Sequence, residues 1–288
     1  MTASAPAVDD APAELAMNGD GHDRMTVPVN FGEKAYRFLV DTGSVRTTVS
    51  RQLARDLGLQ ERAAATLHSA TGQSAVRMAW LPELRLSRRP IRNIAAPMLD
   101  AGDMGADGIL GIDSLRSQQV VFDFAHGTLS ILSSGMPAEF DRDAIVVRAK
   151  RREGRLVITD AEVNGEPVSV VVDSGSSLTI GNQALRRKLE RRGSLIMSGP
   201  IELTSVTGAA LHGELATVGN LDIGGARLEN LNVVFAEAHT FGLLGLSRKP
   251  AILLGMNALS GFDQVSIDFA GRKIALALPK GRKRGSST

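Results

Sequence analysis

Apolar residues along the chain fall in short runs, among them VRMAWLPELRLS, IRNIAAPML, GRLVITDAEV, LATVGNLDI and LENLNVVF, with Gly, Pro and Asn between them. Short aliphatic and β-branched runs bounded by turn residues predict strands. Two segments, RQLARDLGL and QALRRKLERRG, read instead as helices, each preceded by a residue suited to capping a helix N-terminus, Ser50 and Asn182. The pattern predicts a mostly β protein with a short helix in each half.

The pattern is also written twice. FLVDTGS at 38–44 returns as VVVDSGS at 170–176, which places Asp41 and Asp173 132 residues apart (173 minus 41). In that register Thr47 matches Thr179, Ser50 matches Asn182 and Leu53 matches Leu185. TLHSATG (66–72) resembles ELTSVTG (202–208), GILGIDSL (108–115) resembles ILLGMNAL (252–259), and VFDFA (121–125) resembles SIDFA (266–270). The offset drifts upward from one landmark to the next, as small loop insertions make it do. A second Leu-Leu-Gly at 243–245 is a decoy: Gly111 lies 12 residues before Asp123 (123 minus 111) and Gly255 lies 13 before Asp268 (268 minus 255), whereas Gly245 lies 23 before it (268 minus 245). A duplicated landmark order implies two homologous lobes. The division is a flexible leader over 1–24, lobes over 25–140 and 141–278, and a basic tail over 279–288, with the boundary near 134–155 where charge and turn residues break the pattern.

Composition narrows the function classes. The 288 residues are 43% hydrophobic and 22% charged, enough to bury a core, and the 4% aromatic content, with single Trp80 and Tyr36, predicts an aliphatic one. Net charge is only +2. The clusters Arg148/Lys150/Arg151/Arg152 and Lys280/Arg282/Lys283/Arg284 read as a solvated linker and tail, and without interleaved aromatics they do not point to nucleic acid. Cysteine is absent, which removes disulfides, zinc-thiolate sites and thiol catalysis. The five histidines (His22, His68, His126, His212 and His239) show no metal-ligand spacing. No Gly-x-Ser-x-Gly elbow makes Ser176 a nucleophile, and no phosphate-binding glycine motif follows a strand. No run reaches the roughly 18 to 20 apolar residues of a membrane helix, and the opening residues lack the basic and apolar regions of a signal peptide. Asp123 and Asp268 read as turn acids.

A lone Asp-Thr/Ser-Gly is an ordinary turn, since Asp and Ser start turns and Gly ends them. Two copies in one register of a repeat point to chemistry. Carboxylates brought to about 3 Å across a pseudo-twofold axis cannot both ionise, so they share a proton. One then activates water as a general base while the other protonates a carbonyl oxygen, with no cofactor. Thr42 and Ser174 are placed to hydrogen-bond across the interface and lock the two loops. Ser44 and Ser176 are placed to orient the outer carboxylate oxygens, and Gly43 and Gly175 allow close backbone approach.

With these motifs the chain resembles the retropepsin-like aspartic proteases, in the bacterial single-chain form where two retroviral-type lobes are fused. The resemblance spans roughly 25–278 and rests on the two Asp-Thr/Ser-Gly triplets and on Ile109-Leu110-Gly111 and Leu253-Leu254-Gly255. It implies two homologous β lobes with short helices, catalytic Asp41 and Asp173 at their interface, and apolar-apolar-Gly segments packed behind the catalytic loops. It also implies a β-hairpin flap from each lobe, here TLHSATGQSAVRM and ELTSVTGAALHGE. Their tips fall at Ser69, Ala70, Thr71 and Gly72 in the first lobe and at Ser205, Val206, Thr207 and Gly208 in the second. Neither flap carries the tyrosine of pepsin-type enzymes, and Asp113 of one lobe faces Asn257 of the other. The expected activity is cleavage of extended, largely apolar peptide segments by a monomer at acidic to mildly acidic pH. Bacterial relatives often act on envelope proteins outside the cytoplasm, which the resemblance implies and the N-terminal residues do not show. Contact of the basic tail with a membrane stays open. A non-catalytic peptide-binding or dimerisation module on the same scaffold is the alternative.

Overall fold

The computed structural model of the chain describes residues 13–19, 24–86, 89–136, 138, 140 and 144–279. Both acid-bearing runs are strands. Lys34–Val40 and Ser169–Val172 end on Phe38, Leu39 and Val40 and on Val170, Val171 and Val172, all buried. Three consecutive buried residues mean that both faces of the strand are covered, which alternation could not satisfy.

The same order of strands occurs in each lobe. In the first it runs Met25–Phe31, Lys34–Val40, Gly108–Leu110, Thr48–Ser50, Arg89–Leu99, Gly72–Leu86 and Gln60–Ser69. In the second it runs Arg155–Ile158, Ser169–Val172, Ala251–Leu254, Thr179–Gly181, Ala226–Phe235 and Ala210–Ile223, with Leu195–Thr204 added on the last. The repeat seen in the residues is therefore a repeat of topology. In both copies the acid-bearing strand pairs in parallel with the strand that leads into Gly111 or Gly255, Val40 opposite Leu110 and Val172 opposite Leu254.

The lobes are joined by a shared sheet. Gln118–Asp123 pairs antiparallel with Gln264–Asp268, so the strands that lead into the two Asp-Phe-Ala landmarks meet across the pseudo-twofold axis, Val121 opposite Ser266, with Asp123 and Asp268 at opposite ends. Thr128–Ser133 extends this sheet on one side, and Lys273–Ala277 and Ile145–Arg152 extend it on the other. Asp123 and Asp268 each cap a turn, accepting from the backbone N–H of His126 (2.9 Å) and Gly271 (2.8 Å).

The capped helices Arg51–Asp56 and Gln183–Arg191 start where the sequence places them. Ser50 Oγ and Asn182 Oδ1 each accept from the N–H three residues on, at 2.9 Å. The core is aliphatic with a correction: Phe38, Phe122, Phe235, Phe241, Phe262 and Phe269 are fully buried within it, while Tyr36 and Trp80 are half-buried. Two further expectations are corrected. The leader is not wholly irregular, because Ala13–Ala16 pairs with Thr128–Ser133 and Asn18–Gly19 pairs with Met25–Phe31. An edge strand offers unpaired N–H and C=O groups to any extended neighbour, whatever its side chains. The basic cluster at 148–152 is no linker but the strand Ile145–Arg152, with Val147 and Ala149 buried and Arg148 and Lys150 exposed between them. Leader residues 1–12 and 20–23, His22 among them, and the basic tail beyond Pro279 lie outside the described residues.

Candidate active site

The two acid loops are built by the same bonds. Asp41 N–H donates to Leu110 O at 3.1 Å and Asp173 N–H to Leu254 O at 3.0 Å, fixing each acid to its parallel neighbour. One turn on, Thr47 and Thr179 accept at Oγ1 from the N–H of Gly111 (3.1 Å) and Gly255 (3.2 Å). Their own N–H groups donate to Asp113 Oδ1 and Asn257 Oδ1, both at 2.8 Å, and their hydroxyls donate to the same atoms at 2.7 and 2.9 Å. Asp113 and Asn257, different in charge, thus do one job: each presents one Oδ1 acceptor to the loop behind its acid. Ile109, Leu110, Leu253 and Leu254 are buried behind these loops.

The loops are clamped to one another by Thr42 and Ser174. Thr42 Oγ1 accepts from Ser174 N–H (3.1 Å) and donates to Val172 O (3.1 Å). Ser174 Oγ accepts from Thr42 N–H (3.1 Å) and donates to Val40 O (2.7 Å). Both residues are buried, so a deleted hydroxyl strands one donor and one acceptor away from water. Thr42→Val and Ser174→Ala are each expected to cost about 1–3 kcal/mol of stability in denaturant unfolding. Their effects should be less than additive, because the four bonds form one network. Additive losses would show that the clamp is not a unit.

Within the clamp the acids face each other's glycines. A Cβ on Gly43 would lie 2.4 Å from Asp173 Oδ1, and a Cβ on Gly175 would lie 2.3 Å from Asp41 Cγ. Asp41 Oδ1 accepts from the N–H of Gly43 and of Ser44, both at 2.8 Å, whereas Asp173 Oδ1 accepts from Gly175 N–H at the longer distance of 3.2 Å. Burial raises both carboxyls above the ordinary carboxylate range. For Asp173 the nearby charge of Asp41 adds to burial and pushes it up to about 7. For Asp41 the two backbone donors and the charges of Arg155 and Arg24 pull against burial. The two short backbone donors on Asp41, against one longer donor on Asp173, favour Asp41 as the ionised member of the pair. The expected role of the serine hydroxyls is corrected: Ser44 Oγ donates to Arg46 O (3.0 Å) and Ser176 Oγ to Leu178 O (2.7 Å), so both stabilise the turn, and backbone N–H groups hold the acids.

The acids open into a cleft of about 530 Å³, with Leu178, Ile180, Leu203, Val206 and Leu211 among its apolar walls. Two hairpins cover it. Ser69 pairs with Gly72 around the tip Ala70–Thr71, and Thr204 pairs with Ala210 around the tip that carries Ser205, Val206, Thr207 and Gly208. The tips touch through Thr71 Oγ1, which donates to Ser205 Oγ at 3.2 Å. Each also reaches the opposite lobe: His239 N–H donates to Ala70 O (2.8 Å), and Val206 packs among Met78, Leu99 and Met104. His68, on the first hairpin, stacks on His239 with ring nitrogens 3.0 Å apart, an arrangement in which one ring donates and the other accepts. His212 instead stands exposed beside Glu202, 3.4 Å away.

Two functional candidates escaped sequence reasoning. Arg24 and Arg155 are buried, line the cleft, and act electrostatically on both acids. The repeat held a signal for them: one arginine lies 17 residues before Asp41 (41 minus 24) and the other 18 before Asp173 (173 minus 155).

Residues 27–114 and 159–258 match the aspartyl protease family in two successive blocks, one in each lobe, which together cover more than half of the chain. The chain belongs to that family, in its retropepsin-like form. No curated protein matches the chain.

Proposed function

We propose that this aspartyl protease family member is an active endopeptidase, with Asp41 and Asp173 as one proton-sharing pair. The observation that carries the reading is the mutual approach of each carboxyl group to the glycine of the opposite triplet, which sets both acids at one point on the cleft floor. Asp41, held as carboxylate by two backbone donors, takes a proton from water as that water attacks the scissile carbonyl carbon. Asp173, holding the shared proton, donates it to the carbonyl oxygen. The tetrahedral intermediate collapses with breakage of the C–N bond, the amine leaving with a proton from Asp41 while the hydroxyl returns its proton to Asp173. The pair ends as it began.

The substrate is an extended segment lying under the two hairpins, its apolar side chains against Leu178, Ile180, Leu203 and Leu211. Backbone pairing with hairpin edges would fix its register and leave side chains to select it. Because the fused lobes supply both acids, one chain suffices, and sedimentation should find an active monomer; activity confined to a dimer would overturn that part. The activity itself is tested by incubating the chain with a mixed peptide library and reading products by mass spectrometry, with and without pepstatin. Pepstatin-sensitive internal cleavage supports the reading. Folded protein that binds peptides and cuts none would instead favour a binding module.

A further inference from the structure

Resting on the peptide-cleavage reading, we infer that Arg155 selects substrates carrying a carboxylate next to the scissile bond. Arg155 opens the strand Arg155–Ile158 and is 6% exposed, yet it lines the cleft. Its Nε donates to Gly43 O at 2.6 Å, which ties the guanidinium to the loop of Asp41. Nη1 and Nη2 have no hydrogen-bond or ion-pair partner among the described residues. Gln118 Oε1 is the one buried polar side-chain atom without a partner among the described residues, so the unbonded Arg155 nitrogens are open to solvent, and the cleft is the space that Arg155 lines. Two parallel N–H groups on a planar fork, held in place by the third nitrogen, match the two oxygens of a carboxylate.

The arginine of the other lobe does not share this arrangement. Arg24 Nη2 donates to Met104 O at 2.8 Å, and the side chain is engaged beyond that bond as well. The preference is therefore one-sided: a single subsite, on the Arg155 side of the dyad, takes an acid, while the aliphatic walls take apolar residues. Asp103 and Glu202 are the acids that line the cleft besides the pair. Both are exposed, so water screens their charges more than that of Arg155, which is largely buried. An Asp or Glu side chain and the C-terminus of a peptide both offer such a carboxylate, and the two sources separate experimentally.

The test compares paired peptides that differ only by Glu or Gln at each position within two residues of the cut, each pair made with a free and an amidated C-terminus. Wild type is expected to cut one Glu peptide roughly ten- to a hundredfold better in kcat/KM than its Gln partner, mostly through KM. A preference that follows the free C-terminus instead assigns the contact to the terminal carboxylate. Arg155→Gln should abolish the preference and move the pH profile upward, since removal of a cation raises both acids. Arg155→Lys keeps the charge, so its pH profile should stay near wild type while the preference shrinks with the loss of the two-pronged contact. Equal cleavage of every Glu and Gln pair by wild type, or a preference that survives in Arg155→Gln, overturns the inference and leaves the protease reading intact. If nothing is cut, fluorescence anisotropy of the labelled pairs decides the matter. Tighter binding of a carboxylate peptide upholds the subsite while the protease reading fails, and equal binding overturns both.

Discussion

Asp41→Asn and Asp173→Asn are each expected to lower kcat/KM by about 10²- to 10⁴-fold, with the double variant barely worse than either. The reason is that base and acid are one unit. Asn at 41 cannot take a proton from water, and Asn at 173 cannot give one to the carbonyl oxygen, so either change removes the same step. Wild type should show a bell-shaped pH dependence. Its alkaline limb falls as pH rises through about 7, where Asp173 loses the shared proton. Its acid limb falls where Asp41 gains a second one. The burial that raises both groups shifts the whole window above that of free carboxylates, while Arg155 and Arg24 oppose the shift. Initial rates across pH 3–9 check this, and a single variant that keeps wild-type kcat/KM would dissolve the pair.

Gly111→Ala and Gly255→Ala should each cost about 3 kcal/mol of stability by overpacking, with no charged or polar group altered. A methyl on Gly111 would stand 2.3 Å from Arg46 C and 2.7 Å from Thr47 N; on Gly255 it would stand 2.5 Å from Leu178 C and 2.8 Å from Thr179 N. These are backbone atoms, and no rotamer change relieves them. Both glycines have negative φ, −93° and −84°, so the clash alone carries the effect. Relief must push away the turn that Thr47 or Thr179 anchors, and with it the acid loop, so activity should fall together with stability. Gly242→Ala is the control. It lies in the helix His239–Leu243, where an added methyl meets only Ser247 Oγ at 3.7 Å, and helix propensity favours Ala. Equal unfolding midpoints for Gly255→Ala and Gly242→Ala would contradict this packing account.

Much of the architecture was legible because duplication makes weak signals check one another. Either triplet alone reads as a turn, and Leu-Leu-Gly occurs twice in the second half, but only one copy keeps the register to Asp268. The helix caps at Ser50 and Asn182 were legible because capping is local chemistry within three residues. What stayed hidden depends on partners far away in the chain. Arg155 stands at a strand start in a charged, turn-rich stretch and reads as surface; that its guanidinium lies against Gly43 follows only from the docking of the lobes. The strand at Ala13–Ala16 has no periodicity of its own and is ordered by the edge it meets. The hydroxyls of Ser44 and Ser176 lie close enough in sequence to serve the acids, yet each finds a carbonyl two residues on, a local competition that takes the hydroxyl from the acid.

The most direct test of the central claim is the titration of the two carboxyl groups by NMR, with ¹³C-labelled aspartate and assignment through the Asn variants. The account predicts two coupled steps, with one proton retained by the pair to about pH 7 and held mainly at Asp173. It also predicts that Asp41→Asn lowers the apparent pKa of Asp173, since the like charge is gone while the burial stays. Two independent titrations near the ordinary carboxylate value, each unmoved by the loss of the other acid, would contradict it.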